Sequence, residues 1–291
     1  MLANEAIDRW TTHGAVSRRE PCKELQDDVA SLAIVHRDDG TDRLCILPDT
    51  RATLVIALDD SIRRSHRWNG ASSPGAVAMG APTHAYMINL VQAPASLIVT
   101  FKPAGASRLL QMPMHSLTDK AAPLWDIAWQ RLHEELRVAA TDDECFDCTE
   151  RFLCERRDRC SKRMRQTATI VDDLCNHALN PENSQTGNAA TELHRLTNIG
   201  ERQLRRVFNS TVGLNPAMYW RIERFNLAVR IARMKHHLVW GEIAAEAGYY
   251  DQTHMNADFR ALAGITPSRF QRALDEGMPH LNGLWFESYT T

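Results

Sequence analysis

The stretch GEIAAEAGYYDQTHMNADFRALAGITPSRF (Gly241–Phe270) reads as three short helices separated by two stops. The pattern over Trp240–Ala247 is helical and breaks at Gly248-Tyr249-Tyr250. Asp251 is a good N-cap for a second helix opening at residue 252, with Met255 and Phe259 at i, i+4 on one apolar face. That helix stops at Gly264, since a glycine takes the left-handed C′ conformation at no steric cost. Thr266-Pro267, a capping residue followed by proline at the first helical position, opens the next. Helix, tight turn, helix is the expectation.

The same design occurs upstream at an offset of 51 residues. Leu204, Phe208, Gly213, Leu214, Asn215, Pro216 and Tyr219 pair with Met255, Phe259, Gly264, Ile265, Thr266, Pro267 and Phe270. The first copy runs through Ala190–Leu196, turns at Thr197-Asn198-Ile199-Gly200 and opens its second helix at residue 201, with Gly200 as a weaker cap. One long helix, about Pro216–His236, joins the copies and carries Tyr219, Ile222, Phe225, Val229 and Ala232 on one face. The second helix of each unit has an outer face free to enter a DNA major groove. Arg202, Gln203, Arg205 and Arg206 lie on the first such face, and Gln252, Thr253, His254 and Asn256 on the second. Arginine pairs bidentately with guanine, and Gln or Asn with adenine. The bland alternative is two solvated faces of an all-α interaction module. The charge distribution favours DNA: residues 189–274 hold 12 Lys/Arg against 7 Asp/Glu, on a chain whose formal net charge is −2.

On these residues the region 189–274 resembles the DNA-binding domain of AraC-type transcription regulators. Gly241–Phe270 is the most specific part, and GERQLRRVFNSTVGLNPAMY (Gly200–Tyr219) is the matching first unit. A looser resemblance runs through CILPDT (Cys45–Thr50) and FKPAGASRLL (Phe101–Leu110), which look like a β-rich sensor-type domain often joined to this module. The resemblance implies that the second helices enter successive major-groove segments on one side of double-stranded DNA. It also implies a small-molecule effector on the N-terminal domain and RNA polymerase as a partner of an activator, and it leaves a homodimer open. Two positions depart from the family: Ala257 stands where a basic residue is common, and Gly200 where Ser or Thr usually caps.

The remainder of the chain fits that reading. Its 291 residues, 44% apolar and 24% charged, can bury one large or two ordinary cores. Short β-rich runs at Ser31–His36, Arg43–Leu47, Thr53–Leu58, Ala76–Met79, Ala85–Val91 and Ser96–Phe101 point to a sandwich or barrel. Helical texture follows over Leu124–Val138, Asp143–Arg163 and Thr167–Ala178, and the polar Asn180–Asn188 reads as a linker. The expected class is α+β, with a β-rich domain over 1–120, a helical linker over 121–182, an all-α double helix-turn-helix over 183–275 and a tail over 276–291. No apolar run reaches the roughly 20 residues of a membrane span. An acidic start (MLANEAIDRW) and seven cysteines, an odd number, argue for a reducing compartment, so a cytoplasmic location is expected.

The rival signals are weaker. Cys145, Cys148, Cys154 and Cys160 could form a redox or metal switch, with Arg156, Arg157 and Arg159 lowering thiol pKa values. Alternatively Cys145, Cys148 and Phe152 are the apolar stripe of an amphipathic helix. His36, His66 and His84 are isolated, and no motif for a phosphate loop, a serine nucleophile or a zinc protease occurs, so no catalytic residue, cofactor or enzyme activity is expected. The basic run Arg151–Arg165 reads as a solvated helix face, or less simply as a contact with flanking DNA.

Overall fold

In the computed structural model, residues 16–36, 43–58, 67–68, 71–72, 75–89, 95–178, 200–234 and 239–275 are described. The strands are β1 (Val16–Arg19), β2 (Val29–His36), β3 (Arg43–Ile46), β4 (Thr53–Ala57), β5 (Arg67–Trp68), β6 (Ala71–Ser72), β7 (Ala76–Met79), β8 (Tyr86–Asn89), β9 (Ala95–Phe101) and β10 (Ala121–Pro123). Helices α1 (Gly105–Leu110), α2 (Ile127–Val138), α3 (Asp142–Asp158) and α4 (Lys162–Ala178) follow or interleave. The C-terminal part holds α5 (Glu201–Val212), α6 (Pro216–Met234), α7 (Trp240–Glu246), α8 (Gln252–Asp258), a π turn (Phe259–Ala263) and α9 (Pro267–Asp275).

The protein is α+β. Its β-rich half is a six-stranded antiparallel sheet in the order β1-β2-β9-β4-β7-β10, with two-stranded ribbons β3–β8 and β5–β6. Register follows the apolar pattern, because a slip of one residue would turn every buried side chain outward. Ile34, Leu97, Ile56 and Ala76 form one row across four strands, and Leu32, Val99, Leu54 and Ala78 form the next. Trp129, Leu132 and Leu136 of α2 and Phe146 and Leu153 of α3 pack onto these rows. Within α2, Trp129, Leu132, His133 and Leu136 form the buried face and Ile127 is exposed. β2 and β9 are buried along nearly their whole length, which is why they read as continuous apolar runs.

Two segments quoted for the looser resemblance have packing roles. Gly105, in FKPAGASRLL, lies so close to the Asp28 carbonyl that any Cβ would collide with it. Three residues on, the Arg108 guanidinium pairs with buried Asp28 and donates to the Asp172 carboxylate on α4 at 2.9 Å. Arg157 donates to the other Asp28 oxygen at 3.2 Å. Arg156 is buried, lies 4.8 Å over the Trp129 ring and donates to the carbonyls of Leu109 and Leu110 at the C-terminus of α1. The basic run around α3 is therefore partly structural: Arg156 and Arg157 turn inward, while Arg151 and Arg159 are exposed and paired with Glu135 and Glu155.

The C-terminal core consists of Phe208, Tyr219, Ile222, Phe225, Trp240, Ile243, Met255, Phe259 and Phe270. Leu47, Ala81 and Ala104 of the N-terminal half and Ala168, Val171 and Cys175 of α4 join it, so the two halves share packed surface.

Candidate nucleic-acid interface

From residues 200 and 251 onward, the two copies fold as the 51-residue offset implies. Helices α5 and α8 open at Glu201 and Gln252. Gly213 and Gly264 terminate the paired segments with φ of +93° and +73°, the left-handed region that glycine enters freely. Asn215 Oδ1 accepts from Met218 N at 2.9 Å and Thr266 Oγ1 from Arg269 N at 3.3 Å, capping α6 and α9 ahead of their first-turn prolines. The equivalence extends to ring geometry: Phe208–Tyr219 and Phe259–Phe270 are both edge-on, at 5.2 Å and 5.8 Å. One difference separates the copies. In the second copy α8 runs into the π turn Phe259–Ala263, whereas in the first α5 is α-helical through Val212.

The outer faces carry the residues singled out from sequence. Arg202, Gln203, Arg205 and Arg206 on α5 are exposed, as are Gln252, Thr253 and His254 on α8. Asn256 is half-buried, and its Oδ1 has no hydrogen-bond partner among the described residues. Asp251 caps α8 by accepting from His254 N at 2.7 Å, whereas Gly200 caps α5 with backbone alone. The first helix expected in unit one, Ala190–Leu196, lies outside the described residues, as do the Asn180–Asn188 linker, the tail 276–291 and His66.

Sequence reasoning missed the residues that hold α8 in place. The turn bends at Gly248, with φ of +78°, and buries Tyr249. The Arg224 guanidinium of α6 lies 4.6 Å over the Tyr249 ring, and that ring meets His254 edge-on at 5.5 Å. Buried Asp258 accepts from Arg221 Nε at 2.7 Å and lies 3.7 Å from Arg224 Nη2. Two arginines of the connecting helix thus orient the second unit instead of facing outward. The signal was faint: Arg221 and Arg224 sit at i, i+3 on α6, and Asp258 is an acid in an apolar segment. Tyr250, at the tip of the turn, is 94% exposed beside the α8 N-terminus.

The cysteines are dispersed. Cys145, Cys160 and Cys175 are buried, and Cys154 faces Cys22 at 3.9 Å between sulfurs. Burial raises the thiol of Cys145 to about 11 and that of Cys154 to about 12, the opposite of what a reactive thiolate needs. Among the described residues no group of three or more His, Cys, Asp or Glu could hold a metal. Cys145, Cys148 and Phe152 join the N-terminal core as an apolar stripe, the Phe152 ring lying 4.7 Å from that of Trp129 on α2. No helix among the described residues is long and apolar enough to cross a membrane.

Two family matches cover most of this architecture. Residues 193–273 match a helix-turn-helix domain, and residues 17–123 match a domain of unknown function, DUF6597. No curated protein matches the chain. Among solved structures, ToxT from Vibrio cholerae O395 is similar at 8% identity and a TM-score of 0.39, over 89% of this chain and 96% of that one. The same protein bound to (E)-4-(8-methylnaphthalen-1-yl)but-3-enoic acid is similar at 10% identity and a TM-score of 0.40, over 90% of this chain and 98% of that one.

Proposed function

Because this chain carries an AraC-type double helix-turn-helix behind an N-terminal DUF6597 domain, and so is a DNA-binding transcription regulator, we propose that it reads a defined DNA sequence with α5 and α8 together. In this reading Arg202, Gln203, Arg205 and Arg206 face one major-groove segment, and Gln252, Thr253, His254 and Asn256 face the next. The observation that carries it is the duplication: two helices built to one plan, each with a buried Leu/Phe or Met/Phe face and an exposed face rich in donors and amides.

The N-terminal domain, in this proposal, takes a small-molecule effector and shifts an equilibrium between arrangements of the DNA-binding part, typically by about 1–3 kcal/mol of coupling. Contact between the halves supports it: Thr50 of the CILPDT segment donates its hydroxyl to Glu223 on the connecting helix. A homodimer and, for an activator, RNA polymerase complete the partners of this reading.

Selection of the full chain against fragmented genomic DNA at physiological salt tests the proposal. The expected result is an enriched motif with two half-elements about one helical turn apart, and affinity that falls steeply with salt. Enrichment of no sequence, with and without reductant, would overturn it. Loss of enrichment under oxidation alone would favour the cysteine reading instead.

A further inference from the structure

A helix leaves its last carbonyls without intrahelical partners, and water or a neighbouring group normally takes them. Here the N-terminal domain takes one at the end of each recognition segment. The Gly213 carbonyl, at the end of α5, accepts from Thr118 Oγ1 at 2.6 Å. The Leu262 carbonyl, in the π turn that ends the second segment, accepts the backbone N–H of Ala85 at 2.8 Å. The two donors come from different stretches, which are fastened to each other. Gly80 N donates to the Lys120 carbonyl at 3.0 Å, and Asp119 N to the Ala81 carbonyl at 3.3 Å. Asp119 then uses both carboxylate oxygens on one residue, accepting from Thr83 N and from Thr83 Oγ1, each at 2.6 Å. Gly80 lies so close to the Leu117 carbonyl that no side chain fits between the stretches.

Asp119 also holds φ of +56°, the left-handed region that non-glycine residues seldom occupy. Such a conformation persists only where its surroundings over-determine it, and it often marks a functional constraint. The left-handed turn sits between Thr118, which reaches Gly213, and Lys120, which is tied to Gly80. Segments 80–85 and 117–120 therefore make one bracket that touches the ends of both recognition segments. Met114, just ahead of it, brings its carbonyl within 2.9 Å of where a Gly213 Cβ would stand.

We propose that this bracket sets the separation and relative rotation of α5 and α8, so that Thr118 and Asp119 are positioning residues for DNA recognition. The inference rests on the reading that both helices contact DNA. Without the bracket, the two units are related only through α6, which packs on Phe208 through Tyr219 and holds the second unit through Arg221 and Arg224. With it, the path from α5 through α6 and α8 back to α5 is closed. The N-terminal domain then helps to define how far apart the two half-elements must lie, with no contact to a base.

The test uses the full chain with Thr118→Val, which removes the donor while keeping shape, and Asp119→Gly, which keeps the backbone conformation and removes the carboxylate. Binding is measured to the duplex recovered by genomic selection and to versions with one base pair added or removed between half-elements. Wild-type protein should discriminate among the spacings. Thr118→Val should lose about two- to ten-fold of that discrimination, the effect of one neutral hydrogen bond, and Asp119→Gly, which removes two bonds to a carboxylate, at least as much, each folded variant keeping its preference for bases within each half-element. Unchanged discrimination in both variants, with cooperative melting retained, would overturn the bracket while leaving DNA reading intact. Absence of sequence-selective binding by wild-type protein would overturn both.

Discussion

Arg206 and Asn256 differ in what a substitution should reveal. Arg206 is exposed on α5, so its replacement disturbs little of the core. If it reads a base, Arg206→Ala should cost about 1–3 kcal/mol of binding and relax preference at a single operator position. A uniform loss across sequences would make it a phosphate clamp instead; competition binding on a set of singly mutated duplexes separates the two. Asn256 is half-buried beside Met255 and Asp258, so its loss would mix recognition with folding. Exposure of Arg202, Gln203, Arg205 and Arg206 was legible, because helical periodicity against Leu204 and Phe208 dictates which side faces out. The partners of Asp258 were not: a carboxylate in a helix does not announce which of several arginines will reach it.

At the scale of elements, caps and stops carry the argument. Asp251→Ala should destabilise by about 0.5–2 kcal/mol, because His254 N then loses its acceptor. Gly200→Asp should gain a few tenths of a kcal/mol: the site has β-region geometry and open space where a Cβ would stand. Gly213→Ala should lose about 1–2 kcal/mol from left-handed strain alone, with the approach to the Met114 carbonyl adding to it. Chemical denaturation of the three variants beside wild type checks all these signs. These positions were readable because a cap or a C′ glycine is set by local geometry. The π turn was not: Phe259, Leu262 and Ala263 are buried at the same spacing as Phe208, Thr211 and Val212, which stay α-helical.

For the whole molecule, buried charge ties the halves together. Burial pushes the Asp172 carboxyl up to about 6, against the pull of Arg108, and pushes Asp28 up likewise. Glu223, facing Thr50, Asp49, Arg51 and Arg230, is also raised by burial. A carboxyl raised above its unfolded value binds its proton more tightly in the native state. Its contribution to stability therefore grows as pH falls through about 6 and is lost as pH rises again. Wild-type protein should accordingly gain thermal stability relative to Asp172→Asn as pH is lowered from 7 toward 5, measured as the difference in Tm. A constant difference across that range would show that Asp172 does not titrate there.

The amino-acid sequence by itself determined the duplicated helix-turn-helix plan, its caps, its stops and its outward faces. All follow from the 3.6-residue period and from the backbone preferences of Gly, Pro, Asn, Asp and Thr, which act over a few residues. Only the tertiary structure decided that Arg156 and Arg157 turn inward, that Cys154 faces Cys22, and that segments 80–85 and 117–120 reach the end of α5 and the π turn after α8. These contacts join residues tens to more than a hundred positions apart. Which partners meet across such distances is settled by how whole surfaces pack, and no local pattern encodes it.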